Sequence, residues 1–287
     1  MHMTQSKLNQ LTEHVYWLTP DSATDRPVLG AIIGDNGALI VDAGNSTAHA
    51  SLLLEALPAQ AKPAYVVLTH WHWDHVFGAI AFEAPIIAHT ETRRIVAEMV
   101  HLDWSDAALD RRVAEGTEIA FCRDMIKAEL PDRARLQLKA PDLSFDSRIE
   151  LDLGGITCEV RHVGGDHSSD SSVVHVRGDN VLFLGDCLYE DLHHGPRHYT
   201  TGKLFPLVDT LLAYDADFYL LGHDPEPTSK QQMIEYTGML RSVGQAVELF
   251  GSDREQVIRG LEQSTGRSMD SEQLEILDSF LAGLPPA

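Results

Sequence analysis

Four potential metal ligands fall within six residues of this chain: His70, His72, Asp74 and His75, in the run His-Trp-His-Trp-Asp-His. On extended chain, residues two apart project to the same side, so His70 and His72 can reach one ion. Asp74 and His75 lie just beyond, on a tightening loop where they can face a second ion. Imidazole nitrogen suits zinc, iron and related ions, and a carboxylate adds charge to neutralise them. Trp71 and Trp73 alternate with the histidines and are expected to face away into packing or to form an apolar wall. Surface histidines beside a Trp-rich core edge are the competing reading, and the rest of the chain weighs against it.

That weight comes from where other candidate ligands fall. Tyr65 to Leu68 is continuously apolar, as a buried strand is, and runs straight into the cluster. Further strands are expected at Ile149 to Leu153, Ile156 to Val163, Ser172 to Val176, Val181 to Leu184 and Phe218 to Leu221, with a helix near Leu204 to Ala213. His167 follows Gly164-Gly165, Asp186 follows Leu184-Gly185, and His223 follows Leu221-Gly222, each directly after a strand. Ligand sites favour such strand ends, where loops converge.

The remaining elements frame these positions. Gly34-Asp35-Asn36-Gly37 between two apolar runs, Leu29 to Ile33 and Ala38 to Val41, predicts a hairpin. Ser46 caps a helix expected to run to about Leu57, with Pro58 as its stop. Thr90 to about Leu130 has helical spacing, with Thr90, Ser105 and Thr117 as caps; this insertion either covers the site mouth or packs on a flank of the sheet. After Thr228 the chain reads as helical to Leu281, broken near Gly251 and Gly266. The expected division is a catalytic domain over 1–227, with the insertion at about 90–130, and a helical extension over 228–287 packed on it.

Composition limits the function classes. Of the 287 residues 44% are apolar, enough for a large core, yet no apolar run is long enough to span a bilayer. The net charge of −21, from 22 basic and 43 acidic residues, repels phosphate backbones, so no nucleic-acid partner is expected. Cys122, Cys158 and Cys187 form no C-x-x-C pair, as in a reducing compartment. Met1 to Gln10 lacks the apolar centre of a secretory signal, so a cytoplasmic location is expected and the acceptor-like Asn45-Ser46-Thr47 is discounted. His2, in a Met-His-Met opening typical of a cloning remnant, carries no functional weight.

Taken in order, Asp42-Ala43-Gly44, His70-x-His72-x-Asp74-His75, His167, Asp186 and His223 resemble the metallo-β-lactamase superfamily over roughly residues 29 to 224. The resemblance implies an α/β (α+β) fold, a four-layered αββα sandwich with the site at one edge between two sheets. It implies that His70, His72 and His167 hold one divalent ion, that Asp74, His75 and His223 hold the other, and that Asp186 bridges them. The ions are expected to be zinc, with iron or manganese as alternatives. An Asp at the bridging position is similar to the glyoxalase II and lactonase branch, although Cys187 stands beside it and only one of the two can face the site. One departure stands out: the family's Gly-His-Thr-Pro-Gly-Ser loop is here Asp166-His167-Ser168-Ser169-Asp170-Ser171.

By the same resemblance, Asp42 is expected to orient a ligand imidazole. Tyr189, three residues after Asp186, resembles the lactonase tyrosine that holds the substrate carbonyl; simple packing is the other reading. His193, His194 and His198 read as a solvated loop that could line the pocket. The implied activity is hydrolysis of a carbonyl-centred bond in a small-molecule ester, lactone or thioester, by a hydroxide generated between two ions, with Asp74 and Tyr189 catalytic. The alternatives are an iron-dependent sulfur dioxygenase, a β-lactamase, and a metal-stabilised binding protein without activity. The expected partners are a small-molecule substrate and, for the extension, a second copy in a homodimer, with no membrane.

Overall fold

The computed structural model describes residues 6–285, so His2 lies outside the described residues. Strands β1 (Leu8–Gln10), β2 (Val15–Leu18), β3 (Leu29–Gly34) and β4 (Gly37–Val41) run antiparallel to one another. Gly34 pairs with Gly37, so the hairpin turn is Asp35-Asn36, as its chemistry predicts. Helix α1 (Thr47–Ala56) then crosses to β5 (Pro63–Leu68), which lies parallel to β4. Its N-cap is Ser46, whose hydroxyl accepts from His49 N, as expected of a cap serine.

After β5 comes the single turn α2 (Trp73–Val76), then β6 (Ile86–His89), the three insertion helices and β7 (Leu143–Phe145). The insertion helices are α3 (Thr90–Met99), α4 (Asp106–Glu115) and α5 (Ala120–Glu129). Two cap expectations shift. His89, not Thr90, caps α3, its ring nitrogen accepting from Glu91 N. Ile119, not Thr117, precedes α5 and makes no side-chain cap bond. Ser105 caps α4 as expected, and Gly116 ends it in left-handed conformation.

The second sheet is a meander of β8 (Arg148–Asp152), β9 (Thr157–His162), β10 (Ser172–Val176) and β11 (Val181–Gly185). Helix α6 (Thr201–Leu212) returns the chain to β12 (Phe218–Leu221), parallel to β11, and β13 (Thr228–Ser229) closes the edge. The tail is α7 (Lys230–Phe250), α8 (Arg254–Thr265) and α9 (Ser271–Ala282), with breaks at Gly251 and Gly266.

Side-chain alternation explains the layering. In β4, Ala38 and Ile40 face the helices while Leu39 and Val41 face the other sheet. In β11, Leu182 and Leu184 face α6 and the tail while Val181 and Phe183 face inward. The central strands β4 and β11 are therefore buried on two faces and read as nearly unbroken apolar runs, whereas the edge strand β8 alternates with exposed charged residues. The order is helices, a seven-stranded sheet, a six-stranded sheet, then helices. This is the αββα sandwich the resemblance implies.

The insertion packs on the outer face of the first sheet through Val96, Met99, Leu109 and Ile126. The tail covers the second sheet through Met233, Leu240, Val247 and Phe280. Strands β1, β2, β6 and β7 were not anticipated. They are three or four residues long, too short for periodicity to reveal.

Candidate metal centre

The two sheets meet at one edge. Ser172 N donates to Thr69 O at 2.8 Å, and Val28 N donates to Gly222 O at 2.6 Å. The ends of β5, β9, β11 and β12 therefore converge, and each delivers part of the site. After β5 the chain stays open through His72 and then turns into α2, so Asp74 and His75 lie on a helical turn, not on a loop. The short helix folds back on the hairpin, with Ala43 N donating to His75 O at 2.9 Å.

Two groups of ligand atoms result. Those of His70, His72 and His167 lie within 4.8 Å of one another, as do those of Asp74, His75, Asp186 and His223. Asp186 Oδ2 faces both groups, 3.4 Å from His167 Nε2 and 4.0 Å from His70 Nε2 on one side. On the other side it lies 3.4 Å from His75 Nε2 and 3.3 Å from His223 Nε2. Asp74 Oδ2 lies 3.1 Å from His75 Nε2 and 3.2 Å from His223 Nε2. Cys187 turns the other way, into the helix-side core. The choice between the two neighbours thus falls on Asp186.

The imidazole tautomers follow from the outer nitrogens. Thr69 Oγ1 donates to Asp42 Oδ2 (2.9 Å), so it accepts from His70 Nδ1 (3.1 Å). His75 Nδ1 donates to Asp42 Oδ2 (2.8 Å), and His167 Nδ1 donates to Glu190 O (3.0 Å). Each bond leaves Nε2 pointing inward. His70 Nε2, His75 Nε2, His167 Nε2 and Asp186 Oδ1 are all buried without a hydrogen-bond partner. Several orphaned buried atoms at one point are costly unless something occupies it, and these donor types suit a divalent cation.

Charge within the cluster is uneven. Burial, and then the neighbouring imidazoles, hold His70 well below the usual histidine range although the Asp186 charge acts to raise it; His72 is lowered by burial and by His70. Burial also opposes charge on His75 and His223, but Asp74 and Asp186 overcome it and raise both well above that range. Conversely, although burial acts to raise Asp74 and Asp186, His75 and His223 hold both carboxyls well below theirs. Within the second group, imidazoles and carboxylates thus each favour the other's charged form.

The family model for the metallo-β-lactamase superfamily matches residues 24–223. This chain belongs to that superfamily. An uncharacterized protein of Mycobacterium tuberculosis is 28% identical over 209 residues, spanning 67% of this chain and 82% of the relative. Among solved structures, a metallo-β-lactamase from Pontibacter korlensis superposes with a TM-score of 0.58 at 19% identity, covering 83% of this chain and 99% of the other. The stereoselective inverting sec-alkylsulfatase Pisa1 from Pseudomonas sp. reaches 0.64 at 14% identity, covering 93% of this chain and 46% of the enzyme. At such identities these similarities concern the fold.

Within this superfamily fold, the unusual loop around His167 has its own anchors. Asp166 accepts from Thr200 N (2.8 Å) and Thr200 Oγ1 (2.7 Å) at the start of α6. Asp170 accepts from Thr92 Oγ1 on α3 (2.7 Å) and from Ser168 Oγ. Carboxylates thus fix the loop that proline and glycine shape in other members. Gly222 is equally constrained: a Cβ there would collide with Asp186 Oδ1.

A cavity of about 250 Å³ opens over the two groups, lined by Asp25, Phe121, Tyr189, Leu192, His193 and Arg197 besides the site residues. Phe121 comes from α5, so the insertion both packs on the sheet and walls the site. Tyr189 faces the cavity, but its hydroxyl donates to Asp224 Oδ1 (3.1 Å) and accepts from His223 N (3.2 Å). His193 reaches the cavity, its ring 4.8 Å from that of His72, whereas His194 and His198 stay on the outer loop, bonded to Asp191 and Pro196 O. Trp73 is buried against Phe77, and Trp71 stands edge-on to His72 as an apolar wall.

Sequence reasoning missed Asp25. Its Oδ1 lies 3.7 Å from His223 Nδ1, and it is held at a φ of 58°. Burial and the charge of Asp74 push its carboxyl up to about 7. Its neighbours are fixed from the insertion: Arg26 pairs with Glu129 at the end of α5 (2.8 Å), and Thr24 Oγ1 donates to Glu129 Oε2 (2.5 Å). No strand or motif precedes Asp25, so nothing in the chain marked it.

Proposed function

We propose that this protein is a binuclear metal-dependent hydrolase that cleaves a carbonyl-centred bond of a small-molecule ester, lactone or thioester. The observation that carries the reading is Asp186 Oδ2, which lies 3.4 Å from His167 Nε2 and 4.0 Å from His70 Nε2 on one side and 3.4 Å from His75 Nε2 and 3.3 Å from His223 Nε2 on the other, while Nε2 of His70, His75 and His167 stands unpartnered. His70, His72 and His167 would hold one ion, Asp74, His75 and His223 the other, with Asp186 between them. Two such ions, zinc in this reading, supply Lewis acidity that makes a water nucleophilic near neutral pH and polarises the scissile carbonyl.

The chain's own residues do the rest. Asp42, Thr69 and the carbonyl of Glu190 hold three imidazoles in the tautomer that presents Nε2. Asp74 is an ionised acceptor at the cavity floor, suited to orient the attacking water and take its proton. Tyr189 can donate to a developing oxyanion once it releases Asp224. Phe121 and Leu192 exclude water from one side of the cavity. The acidic net charge favours a small diffusible substrate over nucleic acid.

The test is metal analysis with a substrate panel. Protein loaded with zinc, iron or manganese is assayed on esters, thioesters, lactones, β-lactams and a secondary alkyl sulfate, beside His72→Ala. Turnover of an acyl substrate, with metal content reduced in His72→Ala, is the expected result. Oxygen-dependent turnover with iron would favour a dioxygenase. No turnover with undiminished metal in His72→Ala would refute the reading.

A further inference from the structure

Beside the metal cavity lies a second, smaller cleft of about 80 Å³ whose walls include Trp71, Trp73, Leu102, Trp104 and Arg112. Three of the chain's four tryptophans line it. His72 and His193 line both spaces, so the cleft lies directly beside the metal centre with these two rings at the boundary. Nothing in the catalytic proposal uses it. Leu102, on its rim, is 44% exposed.

Three donor atoms of its lining residues lack an acceptor: Trp73 Nε1, Trp104 Nε1 and Arg112 Nη2. Trp104 is only 8% exposed, and its Nε1 is buried with no partner. The Arg112 guanidinium lies 4.6 Å over the Trp104 ring and donates from Nη1 to Asp103 O at 2.8 Å, but its Nη2 is buried and unpartnered. A buried donor left unpaired costs about 1–3 kcal/mol, so an oxygen acceptor in the cleft is favoured. The one acid there, Glu118, already accepts from Ile119 N at 2.9 Å. Its charge offsets that of Arg112 in the same cleft, so the acceptor should be neutral.

We propose that this cleft is the acyl-arm subsite, taking an apolar substrate chain that carries a neutral carbonyl-type oxygen while its scissile carbonyl lies at the metal centre. This rests on the hydrolase reading, with the product acid as its simplest probe. The arm enters past His72 and His193, lies along Trp71 and Leu102, and offers its oxygen to Trp104 Nε1 and Arg112 Nη2.

The experiment is a calorimetric and tryptophan-fluorescence titration of the zinc-loaded protein with acetate, hexanoate and 5-oxohexanoate. Hexanoate should bind about tenfold more tightly than acetate and should alone of these two perturb tryptophan emission. 5-Oxohexanoate should bind more tightly still, by about fivefold. Leu102→Ser, on an exposed rim, should shrink the preference of hexanoate over acetate. Trp104→Phe, which keeps the ring but removes the donor, should shrink the gain from the oxo group. Equal affinities for acetate and hexanoate, or a preference untouched by Leu102→Ser, overturn the subsite. An oxo compound that binds no better than hexanoate overturns its acceptor half. Ester hydrolysis without these preferences leaves the hydrolase reading standing and the subsite rejected; failure of every carboxylate to bind, with no turnover, removes both.

Discussion

Asp42 holds His75 through a 2.8 Å bond and Thr69 through two more, from a backbone φ of 63° that few residues other than glycine adopt. Strain at such a position persists only where its surroundings fix it. Asp42→Asn keeps the tolerance for that φ but loses the charge that fixes the tautomer. It should weaken metal binding by about 10–100-fold in a chelator competition titration. Gly222→Ala should lower metal content with the far-ultraviolet circular dichroism unchanged, because its Cβ strikes Asp186 and not the core. Tyr189→Phe should lower kcat on the order of 100-fold at unaltered metal content; equal loss in Asp224→Ala would instead mean that the tyrosine only braces the loop of His223. Asp25 gives a pH signature. Its folded pKa of about 7 lies above its ordinary 3.8, so the folded metal-free protein holds this proton more tightly than the unfolded chain. Its contribution is full below about pH 4 and is lost as pH rises through 7. Asp25→Asn should therefore raise the Tm of metal-free protein relative to the parent more at pH 8 than at pH 5.

At the scale of elements, the insertion is tied to the site from two directions. Glu129, at the end of α5, accepts from Arg26, Thr24 and Ser46, and its side chain is 3% exposed. This one carboxylate joins the insertion, the segment carrying Asp25 and the cap of α1. Removing one member of a buried pair strands the other, at about 3 kcal/mol. Glu129→Ala should lose about that much in urea unfolding, and should also loosen Asp25. The expectation that Thr90 to Leu130 is helical was legible because the apolar spacing is regular. Its caps at His89 and Ile119 were not, because neither residue type is a usual cap and tertiary packing set the ends. The four short strands had too few residues to show a period, and they exist because longer neighbours offer them an edge.

At the scale of the molecule, both sheet faces need cover. α7, α8 and α9 bury Leu182, Leu184, Tyr219 and Leu221 of the second sheet. In our reading the tail is therefore part of one cooperative unit with the catalytic domain; deleting 229–287 should give insoluble protein, not a folded core. The tail also reaches the site by a relay: Ser279 Oγ on α9 donates to Glu190 Oε1 (3.2 Å), and the Glu190 backbone carbonyl fixes His167. Metal uptake should release protons, because Asp74 and Asp186 favour the charged forms of His75 and His223. It should also raise Tm, by about 2.7 kcal/mol of stabilisation at a metal concentration 100-fold above Kd.

The sequence by itself determined the ligand types, their order and their places after strands and glycines, because strand ends and turn chemistry are local properties. It also pointed to the layered class, through the ordered motifs that resemble the metallo-β-lactamase superfamily. The tertiary structure turned the expected Asp186 inward at the bulge that ends β11, and Cys187 into the helix-side core. It alone brought Asp25 to His223 and the insertion's tryptophan and arginine to the edge of the metal cavity. Those contacts join residues from about 30 to about 200 positions apart in the chain. No local pattern encodes them, because they follow from how two sheets and their covering helices settle against one another.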